Sequence, residues 1–536
     1  MFNLNIGWSG VHMKTLFGSC LALEVALAVT PSAAQIVTSQ YDNLRTGATL
    51  NEKVLSPKNV NAKRFGKVGA FKVDGAVYAQ PLFIPSVEIP GKGTHDVLYV
   101  ATEHDSVYAF DAYRPNDPPL WQVSFLDSKQ NVTTVSERDT QCFFIQPEVG
   151  VTSTPVIDLK TGTLYVLART MRDPTSGHKE YFQHLHALAI TTGVEKFGGP
   201  SLITASVRDK GASSANGNVI FDPLRENPRA ALLLTNDALY LTWSSSCDVD
   251  PYHGWVMAYD AHTLAQKGVF NDTPDGTEGG IWLSDTGPAA DASDNVYVPT
   301  GNGTFDVSSG GRDYGDTLLK LGLQSSLLVV NDYFTPHDQD ALNNGDSDVG
   351  SSGPTLLPDQ PGPHRHLLVQ PIKGSMIYVI DRDQMGKFRP DGDAVVQEIR
   401  MAGGGYGAMA YWNGHVFFAC SDDSLRDYAI QKGELKLNAQ SNTKFENPGV
   451  TPSVSANGNK DAIVWAIVTK TWNGAGRPAI LYAFDANKVD QPIYTSEQNS
   501  QRDRAVMATR FVIPVVVNGH LYFGARGEVE VYGLLN

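Results

Sequence analysis

Cysteine, charge and long apolar runs are all scarce in this sequence of 536 residues. Its four cysteines form no Cys-x-x-Cys or Cys-x-x-Cys-His motif, which excludes a zinc knuckle and a covalently attached c-type haem. Charged residues make up 18% of the chain, and the net charge of −15 argues against a protein that coats nucleic acid or an anionic membrane. After residue 34, no apolar run reaches the roughly 20 residues that a membrane-spanning helix needs.

The N-terminal segment has the pattern of an export signal. Lys14 supplies a positive charge, residues 16–29 form an apolar stretch, and small residues at 32–34 form a cleavage site. We therefore expect residues 1–34 to be a signal peptide, and the mature chain, residues 35–536, to be secreted or periplasmic. A cytosolic protein is the alternative.

Three cysteines remain once such a signal peptide is removed. In an oxidising compartment, two of them are expected to form a disulfide. Cys142 and Cys247 both lie in loop-like stretches and are the preferred pair. Cys420 follows an apolar strand, so we expect it to be a buried free thiol.

Glycine and proline are plentiful, with 50 and 30 copies, and together with few charges they are typical of short strands joined by tight turns. One pattern, a β run followed after a short gap by a second β run, occurs eight times along the chain. The second runs lie at 108–111, 186–188, 257–260, 319–321, 378–381, 427–429, 482–485 and 531–533. Because the repeating unit is dozens of residues long and is built from strands, it predicts a radial array of sheets, not a solenoid of helices.

The last of these units ends at Asn536, directly after its third strand. Its missing outer strand must come from elsewhere, and residues 65–73 are a spare strand near the N-terminus. Pairing the two ends would close the ring and leave no exposed sheet edge. We therefore predict an all-β protein: a single eight-bladed β-propeller of four-stranded antiparallel blades, closed by an N-terminal strand.

Several residues suited to chemistry stand at the ends of predicted strands. Trp282 and Asn302 lie at the ends of neighbouring strands, Asp313 and Asp316 come just ahead of the next strand, and Lys373 lies on a turn between two strands. An indole plane, an amide oxygen, a carboxylate and a cation around one axis suit a flat anionic ligand together with a hard metal ion. Asn302 also begins an Asn-Gly-Thr glycosylation acceptor, which is its competing interpretation.

The same segments resemble the PQQ-dependent (quinoprotein) alcohol dehydrogenases over nearly the whole mature chain, and most closely the secreted PQQ-like repeat proteins. The matching stretches are Val-Tyr-Ala-Gln-Pro-Leu at 77–82, Gly-Val-Thr-Ser-Thr-Pro at 150–155, Gly-Ile-Trp at 280–282, Thr-Gly-Asn-Gly at 300–303, Tyr-Phe-Thr-Pro-His-Asp at 333–338 and Gln-Pro-Ile-Lys at 370–373. The family's pair of adjacent cysteines is absent, and the chain has Cys142-Phe143 in its place.

The resemblance implies a site with PQQ and Ca²⁺ in the propeller channel. It assigns cofactor contacts to Thr152, Trp282 and Lys373. It assigns calcium ligation to Asn302 and, by the nearest spacing, to Glu180.

Two residues compete for the catalytic carboxylate that the resemblance implies. They are Asp313 and Asp316, because the loop that follows Asn302 is shorter than in the family.

Three functions follow from these observations. The favoured one is an exported quinoprotein-like oxidoreductase: an Asp takes a proton from an alcohol or sugar hydroxyl, hydride passes to the quinone, and Lys373 stabilises charge on the quinone oxygen. A separate electron acceptor is then required. The second is a cofactor-free propeller that serves as an extracytoplasmic binding or assembly scaffold. The third is a polymer hydrolase or lyase that uses carboxylates such as Glu148 and Asp338.

Overall fold

A computed structural model describes residues 1–4, 7, 34–173, 177–470 and 477–535. The predicted signal peptide therefore lies almost entirely outside the described residues. In the described part, strands are 47% of the chain and helices 4%, so the all-β prediction is confirmed. No helix of these residues is long and apolar enough to cross a membrane.

Eight antiparallel sheets form the propeller, in the order in which their strands occur along the chain. Strands β1 (Ala48–Thr49) and β2 (Phe65–Ala76) precede the first blade. Blade 1 consists of β3 (Leu82–Ile89), β4 (Gly93–Ala101), β5 (Ser106–Asp111) and β6 (Trp121–Ser124), and the link after it contains β7 (Val132–Ser136), α1 (Glu137–Thr140) and β8 (Glu148–Val149). Blade 2 consists of β9 (Val156–Asp158), β10 (Thr163–Arg172), β11 (Glu180–Ala189) and β12 (Ser201–Leu202), and the link after it contains β13 (Ser206–Val207), β14 (Val219–Ile220) and β15 (Glu226–Asn227). Blade 3 consists of β16 (Leu233–Thr235), β17 (Ala238–Ser245), β18 (Trp255–Asp260) and β19 (Gln266–Asn271), and blade 4 consists of β20 (Ala289–Ala290), β21 (Val296–Pro299), β22 (Leu318–Gln324) and β23 (Leu327–Phe334).

The second half repeats the pattern with shorter links. Its elements are α2 (Gln339–Asn344); blade 5, β24 (Thr355–Leu356), β25 (Leu367–Ile372), β26 (Met376–Asp381) and β27 (Gln397–Arg400); blade 6, β28 (Ala410–Trp412), β29 (His415–Phe418), β30 (Asp423–Gln431) and β31 (Glu434–Phe445); blade 7, β32 (Ser453–Asn457), β33 (Lys460–Val468), β34 (Ile480–Asp485) and β35 (Lys488–Thr495); α3 (Ser500–Asp503); and blade 8, β36 (Val515–Val517) and β37 (His520–Leu534). Short 3-10 turns lie at Leu283–Asp285 and Val307–Ser309. Each of the eight predicted second runs falls in a strand of a different blade.

Blade 8 takes a strand from the start of the chain. Gly527, at φ +75°, turns β37 back on itself, so that the rings of Phe523 and Tyr532 stack at 5.7 Å. Strand β2 then pairs antiparallel with the second half of β37, in a register that runs from Phe65↔Leu534 to Ala76↔Arg526. The predicted spare strand at 65–73 is therefore found where it was expected, beside the last strand.

Apolar side chains between the blades form the core. The largest cluster joins Phe71 of β2 to Val100 of blade 1, Val166 of blade 2 and Val529 of blade 8. Full burial of each such side chain stabilises the fold by about 1.5–3 kcal/mol. The two ends of the chain are therefore part of one core.

The cysteines follow the sequence prediction. Cys142 and Cys247 form a disulfide that closes a loop with a sequence separation of 105 residues. A loop of that length stabilises the fold by about 5 kcal/mol in the chain-entropy treatment. Cys420 is buried and takes no part in a disulfide.

Candidate functional site

One pocket of about 100 Å³ lies at the end of the ring where second strands finish and blades are linked. Because neighbouring strands are antiparallel, the turn after a second strand and the link to the next blade meet at the same end. Lys373 follows β25, and Cys247 follows β17; Trp282, Asp348 and Phe511 lie in links between blades. The chain thus brings residues from distant positions to one cavity.

Lys373 is held by two carboxylates. Its ammonium donates to Asp346 Oδ1 in a short contact and to Asp348 Oδ2 at 3.2 Å. Burial acts to lower the pKa of Lys373, but the charges of Asp348 and Asp346 outweigh it, and the pKa lies above its ordinary value. Lys373 therefore stays a cation at neutral pH.

Asn302 binds the same two carboxylates. Its backbone N–H donates to Asp348 Oδ1 at 3.1 Å, and its Nδ2 donates to Asp346 Oδ1 at 3.2 Å. Its side-chain oxygen is buried and accepts no hydrogen bond from the residues that the structure describes. A buried acceptor without a donor is costly, and a bound cation or water is the usual remedy.

Trp282 lies beside this cluster, and Gly301 stands between the indole and the Asp348 carboxylate. A Cβ placed on Gly301 would lie 2.6 Å from Asp348 Oδ1 and 2.8 Å from Trp282 Nε1, so only glycine fits between them. The indole is edge-on to Tyr252, with ring centroids 6.4 Å apart. Within the described part of the chain, no acceptor reaches the indole N–H.

Asp248 is a further pocket carboxylate that the sequence analysis did not identify. It accepts a hydrogen bond from the Tyr252 hydroxyl at 3.1 Å. Burial, and then the charge of Asp348, raise the pKa of Asp248 above its ordinary value. Asp248 follows Cys247, so the disulfide fixes the backbone next to it.

The pocket also has a wall of stacked guanidinium and aromatic groups. Arg510 lies 4.5 Å from the ring centroid of Phe511 and 4.7 Å from that of Phe144. Arg229 lies 5.1 Å from the Phe511 centroid. None of these four residues was singled out from the sequence, because each lies in a link that carries no repeating pattern.

Some of the non-glycine residues with positive φ lie at or next to the pocket. Such residues cost about 1–3 kcal/mol each and persist where the surrounding structure determines them. They are Cys247 (+56°), Asp248 (+52°), Leu283 (+50°), Ser284 (+40°), Asp316 (+50°), Asp346 (+49°) and Phe511 (+63°).

Trp282 and Lys373 are the sequence-derived candidates that line the pocket, and Asn302 reaches it through the two shared carboxylates. Asp316 lies behind them: it is buried and accepts from Val349 N at 3.2 Å. Burial, and then the charge of Asp348, raise the pKa of Asp316 well above its ordinary value.

The structure does not bring the remaining candidates to the lining that the described residues form. Asp313 is buried and accepts from Asp275 N at 2.9 Å, and burial raises its pKa to about 6. Thr152 donates to the buried Glu103 at 3.1 Å. Glu180 is half-exposed on β11 and forms an ion pair with Arg172.

The carboxylates of the hydrolase alternative are not in the lining that the described residues form. Glu148 lies 2.9 Å from the Nδ1 of His104, and Asp338 stands at the start of α2. No three His, Cys, Asp or Glu side chains in the described ranges converge as metal ligands. A metal site with oxygen ligands in this pocket would therefore need the amide oxygen of Asn302 in addition to carboxylates.

Comparison with known proteins places the fold. No protein-family model and no curated protein sequence matches the chain. Among solved structures, it is similar to the quinohemoprotein alcohol dehydrogenase ADHIIG from Pseudomonas putida HK5, with a TM-score of 0.61 and 14% identity over 93% of this chain and 80% of the other. A europium-containing methanol dehydrogenase matches with a TM-score of 0.58 and 14% identity over 93% of this chain and 98% of the other. The resemblance to quinoprotein alcohol dehydrogenases is thus confirmed at the level of the eight-bladed fold.

Proposed function

We propose that the chain is a quinoprotein-like oxidoreductase that oxidises an alcohol or sugar hydroxyl with PQQ and Ca²⁺ in this pocket. The observation that carries the proposal is the cluster in which Lys373 and Asn302 share Asp346 and Asp348 beside Trp282. A propeller that served only as a scaffold would have no use for this convergence.

The side chains that line the pocket suit a flat anionic quinone, although the cavity of about 100 Å³ must widen to admit one. Three cations, Lys373, Arg229 and Arg510, line one small cavity together with the indole of Trp282. Guanidinium groups bind carboxylates well, and an indole face stacks on a planar ring. These residues would hold PQQ, and when bound, PQQ would supply the hydride acceptor.

The oxygen donors suit a calcium ion. Asn302 offers a buried amide oxygen without a donor, and Asp248 and Asp348 offer carboxylates, which are the ligands that Ca²⁺ prefers. A cation there would also favour the ionised form of Asp248, against the effect of burial. We therefore assign the metal to Asn302, Asp248 and Asp348, and not to Glu180.

We assign the general base to Asp346. Its side chain is 75% exposed, so it can pass a proton to water, and Lys373 and Asn302 hold it in place. Asp316 is buried behind the pocket, and Asp313 accepts a hydrogen bond from Asp275 N, so both are poorer bases in these positions. Because the sequence has no Cys-x-x-Cys-His motif, the electrons would pass to a separate acceptor.

Export belongs to the same proposal. A disulfide is most stable in an oxidising compartment, and the Cys142–Cys247 bond agrees with secretion or a periplasmic location. N-terminal sequencing of the protein recovered from outside the cytoplasm would test the cleavage after residue 34.

The test of the proposal is calorimetric titration with PQQ in the presence of Ca²⁺. We expect one PQQ per chain, with binding lost in Lys373→Ala and in Asn302→Ala. The matched control is Lys160→Ala, because Lys160 is 83% exposed and lies on a turn of blade 2. Absence of binding to the folded wild-type protein would contradict the proposal and favour the cofactor-free scaffold.

A further inference from the structure

We propose that the Cys142–Cys247 disulfide is a positioning element of the pocket, which holds Asp248 and Phe144 against the ligand. Cys247 lines the cavity itself, and so do Asp248, which follows it, and Phe144, two residues after Cys142. The effect on PQQ affinity rests on the proposed function, whereas the effect on local order does not.

The first half of the argument concerns Cys247 and Asp248. Both residues have positive φ, +56° and +52°, which is unfavourable for side chains other than glycine. Local support comes from Ser245 Oγ, which accepts from Asp248 N at 2.9 Å, and from the Tyr252 hydroxyl. Without the covalent bond, the backbone at 247–248 is free to relax toward extended conformations, which would turn the Asp248 carboxylate away from Asp348.

The second half concerns the segment that carries Cys142. It follows the four-residue helix α1, where Cys142 N donates to Glu137 O at 3.1 Å, and it continues into Phe143, which is 57% exposed. Phe144 then contributes its ring to the pocket under Arg510, and its carbonyl accepts from the Tyr78 hydroxyl at 2.9 Å. The disulfide is the covalent tie between this segment and blade 3.

The free thiol of Cys420 does not exchange readily with the Cys142–Cys247 disulfide. Cys420 is buried, donates to Asp423 Oδ2 at 3.6 Å, and has its pKa raised to about 11 by burial. A thiol with so little thiolate at neutral pH is a poor nucleophile. Reduction by dithiothreitol therefore has one outcome: the dithiol is oxidised to its cyclic disulfide, and Cys142 and Cys247 each gain one hydrogen.

The experiment compares three forms of the full chain by hydrogen-exchange mass spectrometry and by PQQ titration with Ca²⁺. They are the wild type, the double variant Cys142→Ser/Cys247→Ser, and the matched control Cys420→Ala. We expect exchange at 141–147 and 246–252 to rise about tenfold in the double variant alone. We expect its affinity for PQQ to fall about tenfold, because the pocket is less preorganised.

The opposite results are equally clear. Unchanged exchange at both segments would overturn the proposal, and so would a rise over all blades with no excess at these two segments, which is the mark of a bond that only stabilises the fold as a whole. If the double variant does not fold, wild-type protein reduced in its native state and alkylated takes its place. If the wild type binds no PQQ, the proposed function fails, and the exchange comparison still decides the role of the disulfide.

Discussion

The pocket has two walls of opposite construction. The carboxylate wall consists of Asp248 and Asp348, which line the cavity, together with Asp346; the single ammonium of Lys373 pairs with Asp346 and Asp348 and offsets only part of their charge. The arginine wall consists of Arg229 and Arg510 stacked on Phe144 and Phe511. The first wall is held by directional charged hydrogen bonds, and the second by contacts between cations and aromatic faces.

Because the two walls differ in charge, a ligand in the cavity has a preferred orientation. A ligand with carboxylates at one end is attracted to the arginine wall, whereas a cation and a group that loses a proton belong at the carboxylate wall. The two walls should also respond differently to substitution, because a buried ion pair that loses one partner is costly, whereas a cation–π contact that loses its cation costs less. The predictions below use that contrast.

The largest effect on stability is expected at the carboxylate wall. In Lys373→Met, the side chain of Asp348, which is 8% exposed, loses its ammonium. The free energy of unfolding should fall by about 3 kcal/mol, as when one partner of a buried ion pair is removed. Urea denaturation measures this change, with Lys373→Arg as the charge-preserving control. Equal losses in both variants would mean that the lysine stem, not its charge, stabilises the wall.

Substitution in the arginine wall should affect the affinity for PQQ more than the free energy of unfolding. Arg510→Met keeps an apolar stem against Phe144 and Phe511, so the free energy of unfolding should fall by less than in Lys373→Met. The affinity for PQQ should nevertheless fall about tenfold, because one cation is removed from the end that receives the ligand's carboxylates. Titration and denaturation of the same preparation check both parts. A large loss of stability at unchanged affinity would contradict the division between the walls.

The smallest effect concerns the pH dependence of stability. Because burial and Asp348 raise the pKa of Asp248, the native state keeps this proton longer than the unfolded chain does. The stability that Asp248 contributes is therefore present at low pH and is lost as pH rises from about 4 through the raised pKa. Asp248→Asn should be more stable than the wild type by about 1 kcal/mol at pH 8 without Ca²⁺.

Millimolar Ca²⁺ should reverse that order, because the proposed ion stabilises the wild type and loses a ligand in the variant. Thermal denaturation at several pH values, with and without Ca²⁺, measures both trends. A difference between the two proteins that does not depend on pH would show that Asp248 does not titrate as a buried carboxylate. A difference that does not depend on Ca²⁺ would remove Asp248 from the metal site.

The fold could be predicted from the sequence because each blade is a local unit. Its strands alternate with turns, and the repeat of the third strand is visible without any long-range information. The candidates Trp282, Asn302 and Lys373 were found for the same reason: each stands at a strand end inside a short recognisable motif. A residue at the end of a strand has a fixed position relative to the ring, because the rigid blade holds it there.

The rest of the pocket comes from links, whose paths no periodicity describes. Asp346 and Asp348 lie after α2, and the closely spaced Asp-Ser-Asp ahead of Lys373 was the signal that could have identified them. Arg229 and Arg510 resemble ordinary surface arginines in sequence. Asp313 was singled out because it precedes a strand, but the loop folds so that Phe305 bridges Tyr314, which leaves the Asp313 carboxylate on Asp275 N.

The most direct test of the central claim is the rate at which PQQ-loaded protein passes electrons from an alcohol to an artificial dye, compared between the wild type and Asp346→Asn. The account predicts that the variant still binds PQQ and Ca²⁺ and that its rate of dye reduction falls about 100-fold, as when a general base is removed. A rate equal to that of the wild type would contradict the role of Asp346. A loaded wild type that reduces no dye with any alcohol or sugar would contradict the proposed oxidoreductase itself.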